Sequence, residues 1–197
     1  MFHVKQKLSQ DLNVSRETIS KLEEYIALLI KWNEKINLIS KNDIPDIWNK
    51  HIILCAELMK YINNKDVSLI DLGSGGGLPG IILSILGMQN VTLIESNSKK
   101  AAFLLQASKI SNFPVRIIND RIEKQQIECD IITSRAFASI NQLLECTKYV
   151  RFKKFMLLLK GPEVANEIPD TKDFNFQIEQ SRYSPLSKIV LVKHNNE

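Results

Sequence analysis

The sequence predicts an α/β fold whose core is a parallel sheet covered by helices on both faces. Two observations support this prediction. From Val67 onward, short apolar runs alternate with stretches of helical periodicity, which is typical of parallel strands buried on both faces. The segment "LIDLGSGGGLPGIIL" joins the first run to the first of these helices and holds five of the chain's seven glycines. Glycines gather where a backbone turns tightly or a ligand comes close, so this segment indicates a ligand site.

An N-terminal helical extension is predicted before this core. Ser15 can cap a helix over residues 15–40, because its side chain can accept from free backbone amides. The apolar residues of this stretch recur at helical spacing: Ile19, Leu22, Ile26, Leu29 and Ile36. A second helix is predicted from Asp43 onward. The 197 residues suit one compact structural unit, in which the extension covers residues 1–64 and the core covers residues 65–197.

The core is predicted to contain five parallel strands and three helices. The strands are the apolar runs "VSLIDL", "NVTLIES", "PVRIIN", "CDIITS" and "FMLLL". Helical spacing predicts helices over Leu78–Leu86, Ser98–Ile110 and Ile140–Val150, whereas Asp120–Glu128 is predicted to be a loop or short turn. At the end of the chain, "DFNFQIEQSRY" and "SKIVLVKH" are separated by only a few residues, which predicts an antiparallel hairpin.

Composition restricts the class of protein more than its function. A formal net charge of +4 and a pI of about 8.9 permit a polyanionic partner without requiring one. The start, "MFHVKQKLSQ", lacks the apolar core of a signal peptide, and the apolar runs are too short to span a membrane. The three cysteines are widely spaced and match no metal-ligand pattern. We therefore expect a cytoplasmic protein with reduced thiols, no metal and no membrane segment.

The glycine-rich segment is compatible with more than one ligand. A phosphate-binding P-loop is excluded, because two isoleucines follow Gly80 where Lys and Ser or Thr are required. A dinucleotide site fits literally through Gly75-x-Gly77-x-x-Gly80 and through Glu95, an acid about twenty residues further on. However, Asp71 would place a negative charge beside a pyrophosphate, and the chain is short for a second mononucleotide-binding half. An NAD-linked oxidoreductase is therefore the weaker alternative.

A ligand with positive charge and no phosphate fits the segment better. S-adenosylmethionine has an ammonium and a sulfonium group, and both suit an acid at the entrance of the loop. The string from Asp71 to Gly77 resembles the acid-x-Gly-x-Gly-x-Gly loop of class I methyltransferases, and Glu95 resembles the acid that binds the ribose in these enzymes. The predicted cofactor is S-adenosylmethionine, held by residues of the loop and the next strand: Asp71, Gly73, Gly75, Gly77 and Glu95.

Five segments occur in an order that resembles one bacterial family: "KWNEKINLIS", "KHI", "DLGSGGGLPGIIL", "SRAFASI" and "LLLKG". Over nearly the whole chain they resemble the small-subunit ribosomal RNA methyltransferase G family, also called glucose-inhibited division protein B. The resemblance implies a Rossmann-like class I methyltransferase sheet and methylation of guanine N7 in 16S ribosomal RNA, within the small subunit or its precursor. It also implies cofactor contacts at Gly73, Leu78, Ile122, Glu123 and Arg135.

Arg135 is the residue that we expect to act most directly on the reaction. It follows the fourth strand, at the carboxyl edge where open α/β sheets bind ligands. Its guanidinium could hold the cofactor carboxylate or donate to guanine O6. No base or nucleophile is required, because guanine N7 has a lone pair and no proton. A monomeric enzyme is expected; the alternative of an RNA-binding assembly factor without catalysis is disfavoured by the intact loop, Glu95 and Arg135.

Other polar and aromatic residues have structural interpretations. His51 lies in "KHIILC", which departs from the Arg-His-Ile-x-Asp-Ser that the family often has, and is expected to be a hydrogen-bonded structural histidine. Trp32 and Trp48 are expected to anchor the extension on the core. The basic residues of "RFKKF" and a later lysine form either an RNA-facing patch or a solvated strand: Arg151, Lys153, Lys154 and Lys160.

Overall fold

A seven-stranded sheet forms the centre of the computed structural model, which describes residues 2–195. The strands are β1 (Ser68–Leu72), β2 (Asn90–Ile94), β3 (Val115–Ile118), β4 (Ile127–Arg135), β5 (Val150–Lys160), β6 (Phe174–Gln180) and β7 (Lys188–His194). They lie in the order β3-β2-β1-β4-β5-β7-β6. The first five strands of this order are parallel, and β7 runs antiparallel to β5 and β6. The winding reverses between β1 and β4, where α/β sheets leave a crevice for ligands.

Helices cover the sheet and form the extension. The α-helices of the described residues are α1 (Phe2–Asp11), α2 (Arg16–Asn33), α3 (Ile53–Glu57), α4 (Gly80–Ile85), α5 (Ser98–Ala107) and α6 (Ile140–Cys146). Short 3-10 segments lie at Lys41–Asp46, Leu58–Tyr61, Ser108–Ile110, Ile122–Lys124 and Pro162–Glu167, and a π-helical turn lies at Trp48–Ile52. The extension therefore contains α1, α2, α3 and the irregular turns around α3.

The predicted strands and closing hairpin are confirmed, whereas the helices differ at their ends. α2 ends at Asn33, because the side chain of this residue accepts from the amides of Leu38 (2.8 Å) and Ile39 (3.0 Å) and closes a turn. The second predicted helix is a series of 3-10, π and α segments over residues 41–61. α6 is shorter than predicted because β5 begins at Val150. α1 has no counterpart among the predicted helices.

The extension packs on the face of the core that carries α4 and α5. α2 contacts both helices, and residues of the extension and the core form one hydrophobic cluster. Tyr25 of α2 is completely buried and donates its hydroxyl to the carbonyl of Gly76 in the glycine loop. Trp32 meets Phe103 edge-on, with ring centroids 5.9 Å apart, and Trp48 is buried in the same cluster. Both tryptophans are thus confirmed as packing anchors.

Within residues 2–195, no helix combines the length and apolar character needed to cross a membrane. The cysteines are free: Cys55 and Cys129 are buried, and Cys146 is half-buried. Burial raises the pKa of the Cys55 thiol to about 11. Because the thiolate is the reactive form of cysteine, this thiol is inert at neutral pH.

Candidate cofactor and substrate site

The glycine-rich loop joins β1 to α4 at the carboxyl edge of the sheet. Gly73, Gly75 and Gly77 have φ angles of +66°, +51° and +78°. Side chains rarely tolerate this backbone region, so glycine is required at these positions. The amide of Gly73 donates to the carbonyl of Ile94 at 3.0 Å, which fastens the start of the loop to the end of β2.

Two cavities open beside the loop. The first has a volume of about 630 Å³ and lies between the loop and the extension, lined among others by Asn37, Lys41, Asp43, His51 and Arg135. The second has a volume of about 450 Å³ and lies at the ends of β2 and β3, lined among others by Glu95, Ile122 and Glu123. Gly73, Lys100 and Ala136 line both. Adjoining cavities of this size are typical of small-molecule sites.

Glu95 holds the loop and faces the second cavity. Its side chain is 7% exposed. One carboxylate oxygen accepts from the amide of Gly75 at 2.9 Å, and the other accepts from the amide of Asn97 at 2.8 Å. Because a carboxylate has about four acceptor positions, Glu95 retains acceptor capacity toward the cavity. This arrangement suits the binding of vicinal hydroxyl groups.

Asp71 lies beneath the loop rather than in a cavity. It is fully buried, and its Oδ2 accepts from the amide of Gly80, the first residue of α4, at 3.1 Å. Burial raises the pKa of Asp71 to about 7. Asp71 lines neither cavity, and the partner of its Oδ2 is a backbone amide nine residues along the chain, so its contact with the cofactor stays a prediction. Gly77 likewise lines neither cavity, because it packs against Ile81.

Arg135 connects the end of β4 to the extension. It lines the first cavity. One guanidinium nitrogen donates to the carbonyl of Lys50 at 2.7 Å, and the other lies 3.7 Å from Sγ of Cys55. Since a guanidinium has five N–H donors, donors remain for a ligand. The structure thus brings Arg135 to the cavity and gives it a structural partner that the sequence did not indicate.

His51 forms part of the wall of the first cavity. It is 6% exposed, and its Nε2 lies 3.2 Å from Oδ2 of Asp43. Burial, with the positive charge of Arg135 adding to it, lowers the pKa of His51 to about 4. The imidazole is therefore neutral at neutral pH and donates from Nε2 to the Asp43 carboxylate. The prediction of a hydrogen-bonded structural histidine is confirmed, and the residue also lines the cavity.

Comparison with known proteins identifies the family of this chain. A family model described as rRNA small subunit methyltransferase G matches residues 18–193. The chain belongs to this family. A relative named ribosomal RNA small subunit methyltransferase G from Orientia tsutsugamushi (strain Boryong) is 46% identical over 189 residues, 94% of this chain and 96% of the relative. A relative of the same name from Rickettsia rickettsii (strain Sheila Smith) is 46% identical over 186 residues, which are 93% of this chain and 97% of the relative.

Solved methyltransferases share the fold of this methyltransferase G family member at low identity. The ribosomal protein L11 methylase from Lactobacillus delbrueckii subsp. bulgaricus has a TM-score of 0.55 and 10% identity, covering 72% of this chain and 77% of that one. Magnesium protoporphyrin IX methyltransferase from Synechocystis PCC 6803, solved with bound S-adenosylmethionine, has a TM-score of 0.57 and 13% identity, covering 91% and 97%. The predicted Rossmann-like class I methyltransferase fold is confirmed.

The remaining residues implied by the resemblance to the methyltransferase G family also lie at the cavities. Leu78 lines the first, and Ile122 and Glu123 line the second. Further lining residues were not expected from the sequence: Asn37, Lys41, Asp43, Lys100 and Phe137. Asn37 belongs to "KWNEKINLIS" and Phe137 to "SRAFASI", so two segments that support the family resemblance already contained site residues.

The basic residues of "RFKKF" lie away from the site. Lys153 pairs with Glu128 (3.0 Å) and Lys154 with Asp130 (3.8 Å), at the start of β5, whereas the cavities lie at the opposite, carboxyl edge. Of the two interpretations offered by the sequence, a solvated strand fits better. Lys160, at the end of β5, pairs with the carboxylate of Glu167 at 2.7 Å. No group of three or more His, Cys, Asp or Glu side chains within residues 2–195 is arranged to hold a metal ion.

Proposed function

We propose that this protein transfers the methyl group of S-adenosylmethionine to N7 of a guanine in 16S ribosomal RNA. The observation that supports this most directly is the pair of cavities that meet at Gly73, one lined by an acid suited to a ribose and the other by cations and polar groups. Membership in the rRNA small subunit methyltransferase G family supports the RNA substrate. It does not favour an NAD-linked oxidoreductase or an inactive assembly factor.

We assign the second cavity to the adenosine part of the cofactor. The Glu95 carboxylate, already oriented by two backbone amides, would accept from the ribose hydroxyls. Ile122 is buried in the 3-10 segment that follows β3, lines this cavity and offers an apolar surface to the adenine. Glu123, exposed beside it, can accept from the exocyclic amine of adenine.

The amino-acid part of the cofactor would then occupy the first cavity beside the loop. Gly75 leaves space for it, whereas the ring of Phe137 lies over Gly73, and Leu78 supplies an apolar contact. Arg135 and Lys100 provide the cations that a carboxylate requires, and both line this cavity. Asp71 and Gly77 would contribute indirectly, by holding the loop in this shape.

The chemistry requires alignment rather than proton transfer. Bound S-adenosylmethionine supplies a methyl group that the N7 lone pair attacks, so that an N–C bond forms, the S–C bond breaks and its electron pair returns to sulfur. No proton leaves the guanine in this step. The neutral His51, whose Nε2 is committed to Asp43, is accordingly not needed as a base. The role left to the protein is to fix the donor and acceptor in line and to tolerate the positive charge that moves to the base.

We infer that a single copy of the chain acts in the cytoplasm on the small subunit or a late precursor. The formal charge of +4 and Lys41 at the first cavity favour contact with phosphates. RNA is recognised mostly through its shape and through accessible, unstacked bases. We therefore expect binding to depend on folded RNA context and to weaken as the salt concentration rises.

The experiment that tests this function incubates the protein with labelled S-adenosylmethionine and small subunits that lack the modification. The RNA is then treated with borohydride and aniline, which break the chain at N7-methylguanine. We expect label in 16S ribosomal RNA and one new break at the modified base. Label without a break would mean that another atom is methylated, and the absence of label in subunits and precursors would refute the proposal.

A further inference from the structure

The ring of Phe137 lies on the glycine loop at the junction of the two cavities. A Cβ atom placed on Gly73 would come within 2.1 Å of Cδ2 of this ring, so the ring is packed directly on the Gly73 backbone. Phe137 lines the second cavity, and the preceding Ala136 lines both. The side chain is nevertheless 43% exposed, and it is the one aromatic among the large apolar side chains found exposed in the described part of the chain.

The backbone around Phe137 is shaped to hold the ring in this place. Ala136 has a φ of +51°, a region that is costly for a residue with a side chain and is concentrated at functional sites. Before it, the Ser134 hydroxyl donates to the carbonyl of Leu72 at 2.9 Å. After it, Lys160 donates to the carbonyl of Ala138 at 2.8 Å. Both flanks of Phe137 are therefore held by hydrogen bonds that do not involve its ring.

Lys160, which donates to Ala138, is itself held in place by an ion pair. Its ammonium group lies 2.7 Å from a carboxylate oxygen of Glu167, and its side chain is 10% exposed. The same Glu167 carboxylate accepts from the amide of Ile140 at the start of α6. This lysine therefore holds the segment after β4 and is not free to bind RNA phosphate.

The position of the ring conflicts with a ligand that spans both cavities. The cavities meet at Gly73, and the cofactor placement proposed above passes over this residue. A cofactor placed in this way requires the Phe137 ring to move outward from Gly73. Once the ring has moved, its face is free to contact a base. Phe137 lies two residues after Arg135, at the carboxyl end of β4, and this is where the acceptor base has to meet the methyl group.

We propose that Phe137 positions the target guanine: the cofactor displaces its ring from Gly73, and the displaced ring stacks on the base. This inference rests on the proposed function. An unpaired base gains binding energy when it stacks on an aromatic side chain, and loss of such a contact corresponds to about a 5- to 150-fold loss of binding. Stacking would hold the plane of the guanine beside the methyl donor.

The proposal predicts opposite effects on the two ligands. Without the ring, the cofactor has nothing to displace and binds as tightly as before or more tightly. Without the ring, the base loses its stacking surface and the reaction slows. A residue that merely supports the fold would weaken both, and a residue of the cofactor cradle would weaken cofactor binding.

The experiment compares Phe137→Ala, Phe137→Tyr and the control Leu105→Ala, which removes another exposed apolar side chain, on α5. Calorimetry with S-adenosylhomocysteine measures cofactor-site affinity, and initial rates with unmodified small subunits give kcat and KM. For Phe137→Ala we expect affinity equal to wild type or up to about tenfold tighter, and kcat/KM lower by about 5- to 150-fold. Phe137→Tyr, which retains the ring, should restore most of the rate, and Leu105→Ala should match wild type.

Two results would overturn the proposal. Weaker cofactor binding by Phe137→Ala would show that the ring belongs to the cofactor cradle, and an unchanged kcat/KM would show that it does not meet the base. If wild-type protein formed no N7-methylguanine, the proposed function and the stacking role would fail together. The calorimetric measurement would still decide whether the ring obstructs the cofactor site.

Discussion

The guanidinium of Arg135 donates a 2.7 Å hydrogen bond to the backbone carbonyl of Lys50. The bond joins the carboxyl end of β4 to the π-helical turn Trp48–Ile52 of the extension. Because the same guanidinium lines the first cavity, the residue expected to contact ligand also fastens the extension to the core. Effects of substituting Arg135 must therefore be separated into effects on activity and on stability.

Arg135→Ala should reduce activity far more than stability. Hydrogen bonds to charged groups contribute about 1.5–3 kcal/mol, so we expect kcat/KM to fall roughly 10- to 100-fold. The contact with Lys50 is exposed to solvent, so its loss should lower the free energy of unfolding by only about 1 kcal/mol. Affinity for S-adenosylhomocysteine should fall if the guanidinium holds the cofactor carboxylate, and turnover alone should fall if it contacts guanine. Arg151→Ala, an exposed arginine at the opposite edge of the sheet, is the control. Unchanged rate and affinity would contradict both roles.

Gly75→Ala should block the cofactor while the protein stays folded. A Cβ on Gly75 would meet no atom closer than 3.7 Å, but φ is +51° and the residue lines the first cavity. We expect a loss of about 1–2 kcal/mol in unfolding free energy from the backbone strain, together with at least a tenfold loss of affinity for S-adenosylhomocysteine. Gly87→Ala is the matched control, because Gly87 has a φ of +110° away from the cavities. Equal affinity in both variants would contradict the assignment of this cavity.

The strands and the loop were predictable because their signals are local. Apolar runs, helical spacing and clustered glycines lie within short windows, as in β1 and the segment after it. The side chain of Asp71 was not predictable in the same way, because its direction depends on Gly80, whose amide reaches it only after the loop has turned. Spacing indicated an acid at the loop entrance without showing that it is buried.

The contribution of the extension was not predictable from local patterns either. Asn37, Asp43 and His51 reach the first cavity because α2 packs on α4 and α5 and carries the following segment over the loop. The placement of Phe137 over Gly73 depends in the same way on a contact between distant parts of the chain. Such contacts follow from tertiary packing, and a single sequence shows them only through family resemblance.

Glu95→Gln should weaken both the loop and cofactor binding. Glutamine has an NH2 donor in place of one of the two carboxylate oxygens, so the backbone amide of Gly75 or of Asn97 would lose its acceptor. An unpaired buried donor costs about 1–3 kcal/mol, which should appear in urea unfolding, and affinity for S-adenosylhomocysteine should fall at least tenfold. Glu123→Gln, in the exposed wall of the same cavity, should leave stability unchanged. A stable Glu95→Gln protein with normal affinity would refute the assignment.

Asp71 and His51 are both buried at the site, and their pKa values are shifted in opposite directions. Burial raises the pKa of Asp71 from 3.8 to about 7 and lowers that of His51 from 6.5 to about 4. Between about pH 4 and 7, Asp71 ionises in the unfolded chain only, so its contribution makes stability fall as the pH rises. Between about pH 4 and 6.5, His51 is protonated in the unfolded chain only, so its contribution makes stability rise with pH. The two contributions oppose each other.

Single substitutions should therefore separate the two pH dependences of the free energy of unfolding, which partly cancel in the wild-type protein. In Asp71→Asn the His51 contribution remains, so the free energy of unfolding should rise more steeply with pH than in wild type between about pH 4 and 6.5. In His51→Gln, which keeps a donor for Asp43, the Asp71 contribution remains and stability should fall as the pH rises toward 7. Each pKa unit corresponds to about 1.4 kcal/mol, so we expect the curves of unfolding free energy against pH to diverge by roughly 2–4 kcal/mol across this range.

Urea unfolding from about pH 4 to 8 measures these curves. Their slopes should be equal above pH 7, because neither group then changes protonation on unfolding. Equal slopes in all three proteins below pH 7 would contradict the burial of both groups in their uncharged forms.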